Sequence, residues 1–205
     1  MRIYLVTDEG LLCGKDLYRT VEAAVKGGVG MVQLREKESS TRKFIERAIR
    51  LKEVLAPYGV PLITNDRVDV ALAADADGVH VGQSDMPYEM VKRLLPSGKI
   101  IGLSVESPEQ VLEANNYDLD YVAASPVFST PTKTNTIVEW GLNGLRWIRS
   151  VSRHPLVAIG GIHSDNVASI FQAGADSVAV ISAIISADNP ERAARELLEK
   201  SGEFH

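Results

Sequence analysis

Cysteine is nearly absent, with Cys13 the sole example among 205 residues. That excludes an intramolecular disulfide and any thiolate zinc cluster. No His/Cys spacing suited to a metal appears either. A surplus of positive charge is missing too: Lys and Arg number 22 against 27 Asp and Glu, a formal net charge of −5. Such a balance gives no global attraction for nucleic acid or an anionic membrane surface. Long apolar runs are also lacking. No stretch reaches membrane-spanning length, and the opening residues read as a strand without the apolar core of a signal peptide. The expectation is a cytoplasmic protein with no nucleic-acid and no membrane partner. No proline-rich linker or low-complexity segment divides the chain, so residues 1–205 read as one domain.

Short runs rich in Val and Ile recur along the chain. They are Ile3–Val6, Met31–Leu34, Pro61–Ile63, Gly78–Val81, Ile100–Leu103, Tyr121–Ala124, Leu156–Ile159 and Ser177–Ile181. Most are continuously apolar, as parallel strands covered on both faces should be. Helical signals lie between them. Ser107-Pro108-Glu109-Gln110 combines a capping serine, a proline at the first helical position and a glutamine at the capping-box position. Asp188-Asn189-Pro190-Glu191 opens the last helix similarly, with Ala193, Leu197 and Leu198 as its expected buried stripe. In the segment Ser40–Leu55, Phe44, Ala48, Leu51 and Leu55 share one helical face. A shorter helix is expected over 66–74.

The chain also echoes itself. Ala74-Asp75-Ala76-Asp77-Gly78-Val79 resembles Ala173-Gly174-Ala175-Asp176-Ser177-Val178, nearly half the chain later, and Gly27-Gly28-Val29-Gly30 is a looser third relative. Eight regularly spaced βα units predict an α/β fold closed into a single (β/α)8 TIM barrel rather than a doubly wound open sheet.

In such a barrel the chemistry sits on the loops after the strands. Polar residues accumulate there. Gln33-Leu34-Arg35-Glu36-Lys37 follows the second strand, Thr64-Asn65-Asp66-Arg67 the third and Gly82-Gln83-Ser84-Asp85 the fourth; the fifth strand ends at Ser104. Asp66 and Asp85 follow adjacent strands and are candidates to share a hard cation. Magnesium suits them because it takes one or two carboxylates and completes its shell with water and phosphate. A helix cap is the competing role for Asp66. Arg35, Lys37 and Lys133 supply the positive charge a pyrophosphate requires. Gly160-Gly161 after the seventh strand and Ser182 after the eighth occupy the recurrent phosphate position. The hydroxyl-rich segment 129–136 is long for a βα connection and reads as a lid. Trp140 and Trp147 are expected to pack a helix against the barrel. His80 is expected in the core rather than in catalysis, while His154 and His163 read as incidental. Tyr4 is expected to line either the site or the barrel.

These motifs, in this order, closely resemble the thiamine-phosphate synthases. The resemblance runs from Tyr4-Leu5-Val6-Thr7-Asp8 to Ser182-Ala183-Ile184, with Thr130-Pro131-Thr132-Lys133 among its most specific parts. It implies a transferase that joins hydroxymethylpyrimidine pyrophosphate to a thiazole phosphate. The products are thiamine phosphate and pyrophosphate, and the pyrimidine C–O bond ionises first with help from magnesium. By that resemblance Asp66 and Asp85 hold the magnesium, and Gln33, Arg35, Lys37, Asn65 and Lys133 hold the pyrimidine pyrophosphate, with Ser104 beside the pyrimidine. Thr130, Thr132, Gly161, Ile181 and Ser182 contact the thiazole phosphate. Arg35, Lys37, Ser104 and Lys133 are the expected catalytic set, and a small homo-oligomer is the expected assembly. Ser125-Pro126 departs from the Gly-Pro of many synthases.

Related thiazole tautomerases share the barrel but tend to lack the Gly-Gln-x-Asp and Thr-x-Thr-Lys elements present here. A non-catalytic binder of thiamine precursors does not require the two carboxylates and three cations. Another phosphate-binding isomerase should carry an acid–base pair on opposite loops.

Overall fold

The computed structural model describes residues 2–129 and 139–202. Eight parallel strands close a barrel in sequence order. They are β1 (Ile3–Val6), β2 (Met31–Leu34), β3 (Leu62–Asn65), β4 (Gly78–Val81), β5 (Ile100–Val105), β6 (Tyr121–Ala124), β7 (Leu156–Ile159) and β8 (Ser177–Val180). β1 pairs with both β2 and β8, which leaves no free edge.

Three strands differ from expectation at their ends. β3 runs on to Asn65, β5 continues through Ser104 to Val105, and β8 stops at Val180. The sequence signal followed apolarity, whereas the ladder continues through polar residues. Asn65 stays in register with His80, and Ser104 with Ala123. Two expected site residues therefore sit on strands, where side-chain direction is fixed by the pleat.

Nine α-helices occur among the described residues: α1 (Leu17–Lys26), α2 (Thr41–Leu55), α3 (Val68–Ala73), α4 (Tyr88–Leu94), α5 (Pro108–Ala114), α6 (Gly141–Val151), α7 (Val167–Gln172), α8 (Ser182–Ile185) and α9 (Pro190–Lys200). None is long and apolar enough to cross a membrane. Ser40 caps α2 by accepting the Lys43 N–H, and Phe44, Ala48, Leu51 and Leu55 are buried. Ser107 caps α5, and Gln110 Oε1 accepts the Glu106 N–H at 2.7 Å, one residue earlier than in a standard capping box. On α9 Leu197 is buried and Leu198 packs half-buried against the core as expected, while the buried alanine is Ala194 rather than Ala193. The cause lies across the interface at Gly27. Its missing Cβ admits Ala194 Cβ to a point 2.8 Å from where a side chain would begin.

The internal echo has a structural meaning. Asp77, just before β4, accepts the Leu62 N–H of β3 at 2.8 Å and returns its own N–H to Leu62 O. Asp176 does the same for Leu156 at the start of β7, and Asp120 for Ile101 in β5. Each aspartate clamps the start of the preceding strand. Gly30 occupies the related place before β2 and keeps only its backbone bond to Ile3.

The core forms two shells. The larger lies between the strands and the helices, where α2 and α6 bury Leu51, Leu55, Leu145 and Ile148. The smaller fills the barrel itself with Tyr4, Val6, Met31, Ile63, Tyr121, Ala123, Val157 and Ala179.

Candidate active site

A cavity of about 1120 Å³ opens at the C-terminal ends of the strands. Gln33, Arg35, Lys37, Asn65, Asp66, Asp85 and Ser104 line one side. Gly160, Gly161, Ile181 and Ser182 line the other. The barrel thus brings together every expected site residue that is described. Thr130, Thr132, Lys133 and most of the expected lid lie outside the described residues.

On the first side, charges meet in pairs. Arg35 donates to Asp8 Oδ2 at 2.8 Å, and its backbone N–H reaches Thr7 Oγ1 at 3.1 Å. Lys37 Nζ lies 2.7 Å from Asp66 Oδ2. Asp66 does not cap a helix: Arg67 holds the cap position of α3, and Asp66 has a left-handed φ of 63°. An aspartate tolerates that backbone better than most residues. Asp85 Oδ2 accepts the Gly82 N–H at 2.8 Å. Burial pushes the Asp85 carboxyl above its ordinary value, and the neighbouring Asp66 carboxylate raises it further; the Gly82 N–H and Lys37 oppose the shift. A carboxyl whose charge is disfavoured by a neighbouring carboxylate is a natural seat for a cation. No cluster of three or more His, Cys, Asp or Glu side chains is assembled among the described residues. A magnesium ion, which needs only one or two protein carboxylates, fits that inventory.

On the opposite side the Gly160-Gly161 turn packs under the loop after β6. Both glycines have positive φ, 106° and 66°. A Cβ at Gly160 would sit 2.7 Å from Pro126 Cβ, and one at Gly161 would sit 2.8 Å from Phe128 Cβ. Asn166 braces the turn, donating to Gly161 O at 2.8 Å while its Oδ1 accepts the His163 N–H at 2.9 Å. Lys15 reaches across to cap α8, donating to Ile185 O at 3.2 Å and Ala187 O at 2.6 Å. Ser125, buried and joined to Pro126 by a cis peptide, also lines the cavity.

The floor of the cavity is polar. Gln33 Nε2 donates to Tyr4 Oη at 2.6 Å, and Tyr4 Oη lies 2.9 Å from Tyr121 Oη. Tyr121 Oη is 3.0 Å from His80 Nδ1, and His80 Nε2 is 2.9 Å from Ser104 Oγ. Burial pushes both phenols well above their ordinary value, so both hydroxyls keep their protons. His80 is therefore not a plain core residue; it lines the cavity and bridges β5 and β6. Tyr4 lines the cavity and fills the barrel at once.

Sequence reasoning missed Tyr121, Asp8 and Asn166. The available signal for Tyr121 was Gly102, a glycine inside a strand, which often marks close approach by another group. Of the remaining candidates, Trp140 and Trp147 stack in parallel at 6.2 Å against the outer core. His154 is structural, its two ring nitrogens facing the carbonyls of Leu119 and Ala114. His163 stands at the rim of the cavity.

Residues 3–184 match the family model described as thiamine monophosphate synthase. A thiamine-phosphate synthase of Albidiferax ferrireducens is 53% identical over 93% of this chain and 87% of its own. One from Vibrio parahaemolyticus is 50% identical over 96% of each. Among solved structures, a thiamine phosphate pyrophosphorylase from Pyrococcus furiosus superposes with a TM-score of 0.89 at 40% identity, covering 97% of this chain and 94% of that one. The chain belongs to the thiamine monophosphate synthase family.

Proposed function

We propose that the cavity joins hydroxymethylpyrimidine pyrophosphate to a thiazole phosphate, forming thiamine phosphate and releasing pyrophosphate. One observation carries this reading: two separate regions suited to anions open into a single cavity. Arg35 and Lys37 stand beside the Asp66–Asp85 pair on one side, and the Gly160-Gly161 turn stands beside Ser182 on the other.

The bond between the pyrimidine methylene carbon and the pyrophosphate oxygen breaks first, and both electrons leave with the oxygen. The thiazole nitrogen then gives its lone pair to that carbon, and a C–N bond forms. This nucleophile carries no proton that must be removed, so the site requires no general base. Negative charge grows on the departing oxygen, and fixed cations aimed at it lower the barrier. Arg35 and Lys37 serve that purpose, held in place by Asp8 and Asp66. Asp66 and Asp85 are the residues that would hold magnesium, which when bound supplies further positive charge to the leaving group. Gln33, Asn65 and Ser104 take the pyrimidine side. Gly161, Ile181 and Ser182 take the thiazole phosphate, together with Thr130 and Thr132. Lys133 joins the pyrophosphate side.

The test is direct incubation of purified protein with both substrates and magnesium, followed by chromatography for thiamine phosphate. Formation that requires all three components is expected. No product from competent substrates would sink the reading.

A further inference from the structure

Five side chains in the barrel mouth form one hydrogen-bonded chain: Gln33, Tyr4, Tyr121, His80 and Ser104. A chain of this kind has two proton arrangements. In the first, Gln33 gives an N–H to Tyr4 and each phenol passes its own proton onward. Tyr121 then donates to His80 Nδ1, and the ring proton on Nε2 goes to Ser104 Oγ. In the second, every donor and acceptor is exchanged. The two ends are therefore coupled, although β2 and β5, which carry them, are not neighbours in the barrel. The first arrangement turns the Gln33 carbonyl oxygen and the Ser104 O–H toward the cavity. The second turns the amide nitrogen and a hydroxyl lone pair there instead.

We propose that Tyr4, Tyr121 and His80 are positioning residues that hold the first arrangement, with His80 as the Nε2–H tautomer. The Gln33 nitrogen, 2.6 Å from Tyr4 Oη, sets the sense of the whole chain. The packing over-determines its geometry. Tyr121 stacks on His80 with centroids 5.5 Å apart and 11° between planes, and Tyr4 meets it edge-on at 87°. Gly102 is in register with Tyr121, and a Cβ there would run into the Tyr121 ring. Gln83 fixes the Ser104 backbone by donating to its carbonyl at 2.6 Å.

The consequence is a stated preference for ligand chemistry. A pocket offering an acceptor from Gln33 and a donor from Ser104 suits an amino-substituted nitrogen heterocycle. The exocyclic N–H goes to Gln33 and a ring nitrogen accepts from Ser104. That the ring is the pyrimidine rests on the proposed function; the polarity of the pocket floor does not.

Nitrogen-15 NMR of histidine-labelled protein without substrates reads the tautomer. Only four histidines are present, and His80→Asn identifies the relevant signals. The expected result is a proton on His80 Nε2 and a bare Nδ1, replaced by a mixture of tautomers in Tyr121→Phe. In the same variant kcat/KM for the pyrimidine pyrophosphate should fall roughly tenfold, the scale of one lost hydrogen bond. The KM for the thiazole phosphate should stay unchanged. In a Ser104→Ala background, Tyr121→Phe should cost less than it does alone, because the two act through one chain. A wild-type His80 protonated on Nδ1 overturns the proposal. So do full additivity of the two substitutions and an equal change in KM for both substrates. If His80 carries its proton on Nε2 but the wild type forms no thiamine phosphate, the relay stands and the substrate assignment fails.

Discussion

The Lys37 ammonium lies 2.7 Å from the Asp66 carboxylate, tying the loop after β2 to the end of β3. More than half of the Lys37 side chain is exposed, at 53%, so the pair adds little to stability. Its value is positional, since it keeps a cation on the side of the cavity proposed to take the pyrophosphate. Lys37→Ala should therefore lower kcat about 100-fold, as loss of one group stabilising transition-state charge does. Unfolding free energy should change by no more than about 0.5 kcal/mol. Steady-state kinetics and urea titration measure the two. A large loss of stability with kcat retained would reassign Lys37 as a structural residue.

Asp85 places the needs of the site against those of the fold. Burial and the Asp66 carboxylate raise its pKa, so the folded state disfavours the ionised form. For a raised carboxyl, stability is greater below the ordinary carboxylate pKa and is lost as pH rises through the raised value. Asp85→Asn removes that loss. The variant should be more stable than wild type near neutral pH, and the difference should shrink as pH falls toward about 4. Turnover should nonetheless collapse, and magnesium should raise the melting temperature of wild type more than that of the variant. Thermal melts with and without magnesium, taken across pH, check the stability and metal effects, and steady-state assays check turnover. Near-normal turnover would rule out the proposed metal site.

Arg47 on α2 shows how the loop after β2 is braced from behind. Both oxygens of Glu36 lie 2.6 Å from Arg47 Nη1, and Ser39 donates to the same carboxylate. Glu36 stands between Arg35 and Lys37, and its side chain is only 3% exposed. Glu9, then Glu36, hold the Arg47 guanidinium above its ordinary pKa. Removing Arg47 leaves a buried carboxylate without its partner, at a cost of about 3 kcal/mol. Arg47→Ala should show that loss in urea titration together with a lower kcat/KM for the pyrimidine pyrophosphate. Arg47→Lys should recover only part of it, because an ammonium cannot reproduce the planar fork. A variant as stable as wild type would show that the Glu36 carboxylate finds another partner.

The barrel was legible because each strand is a short apolar run, and the rim because polar residues follow those runs at fixed places. The polar floor of the cavity is hidden in the sequence for one physical reason. His80 and Tyr121 sit inside strands whose neighbours are apolar, so composition reads them as packing, and for Tyr4 it leaves site and barrel undecided. Their polar tips meet only once eight strands curl around a common axis, and no spacing along the chain records that meeting. Asn65 and Ser104 are expected at the site and do line the cavity, but their strands run longer than expected because apolarity fades before the ladder does. Asp77 and Asp176 were visible as an echo. Their shared work as strand clamps, and the place of Asp120 beside them, required the register. On α9 only the alanine differs from expectation, Ala194 rather than Ala193 lying in close approach to Gly27.

The Gly160-Gly161 turn offers the sharpest separation of backbone from side-chain effects, since neither residue has a side chain to contribute. Gly161 has φ of 66°, and its missing Cβ would stand 2.8 Å from Phe128 Cβ and 2.9 Å from Ser129 O. Gly161→Ala therefore meets strain from the left-handed backbone and a clash with the loop after β6. A destabilisation of about 1–3 kcal/mol follows from the backbone conformation. The functional effect should fall on one substrate. The turn lies on the side of the cavity assigned to the thiazole phosphate, across from Arg35 and Lys37, so KM for that substrate should rise at least tenfold while KM for the pyrimidine pyrophosphate moves little. Asn166→Ala supplies a gentler version, loosening the turn without adding a clash, and should shift the same KM in the same direction. Initial rates with each substrate varied in turn distinguish the cases. If both variants weakened only the pyrimidine pyrophosphate, the monophosphate side of the cavity would have to be moved elsewhere.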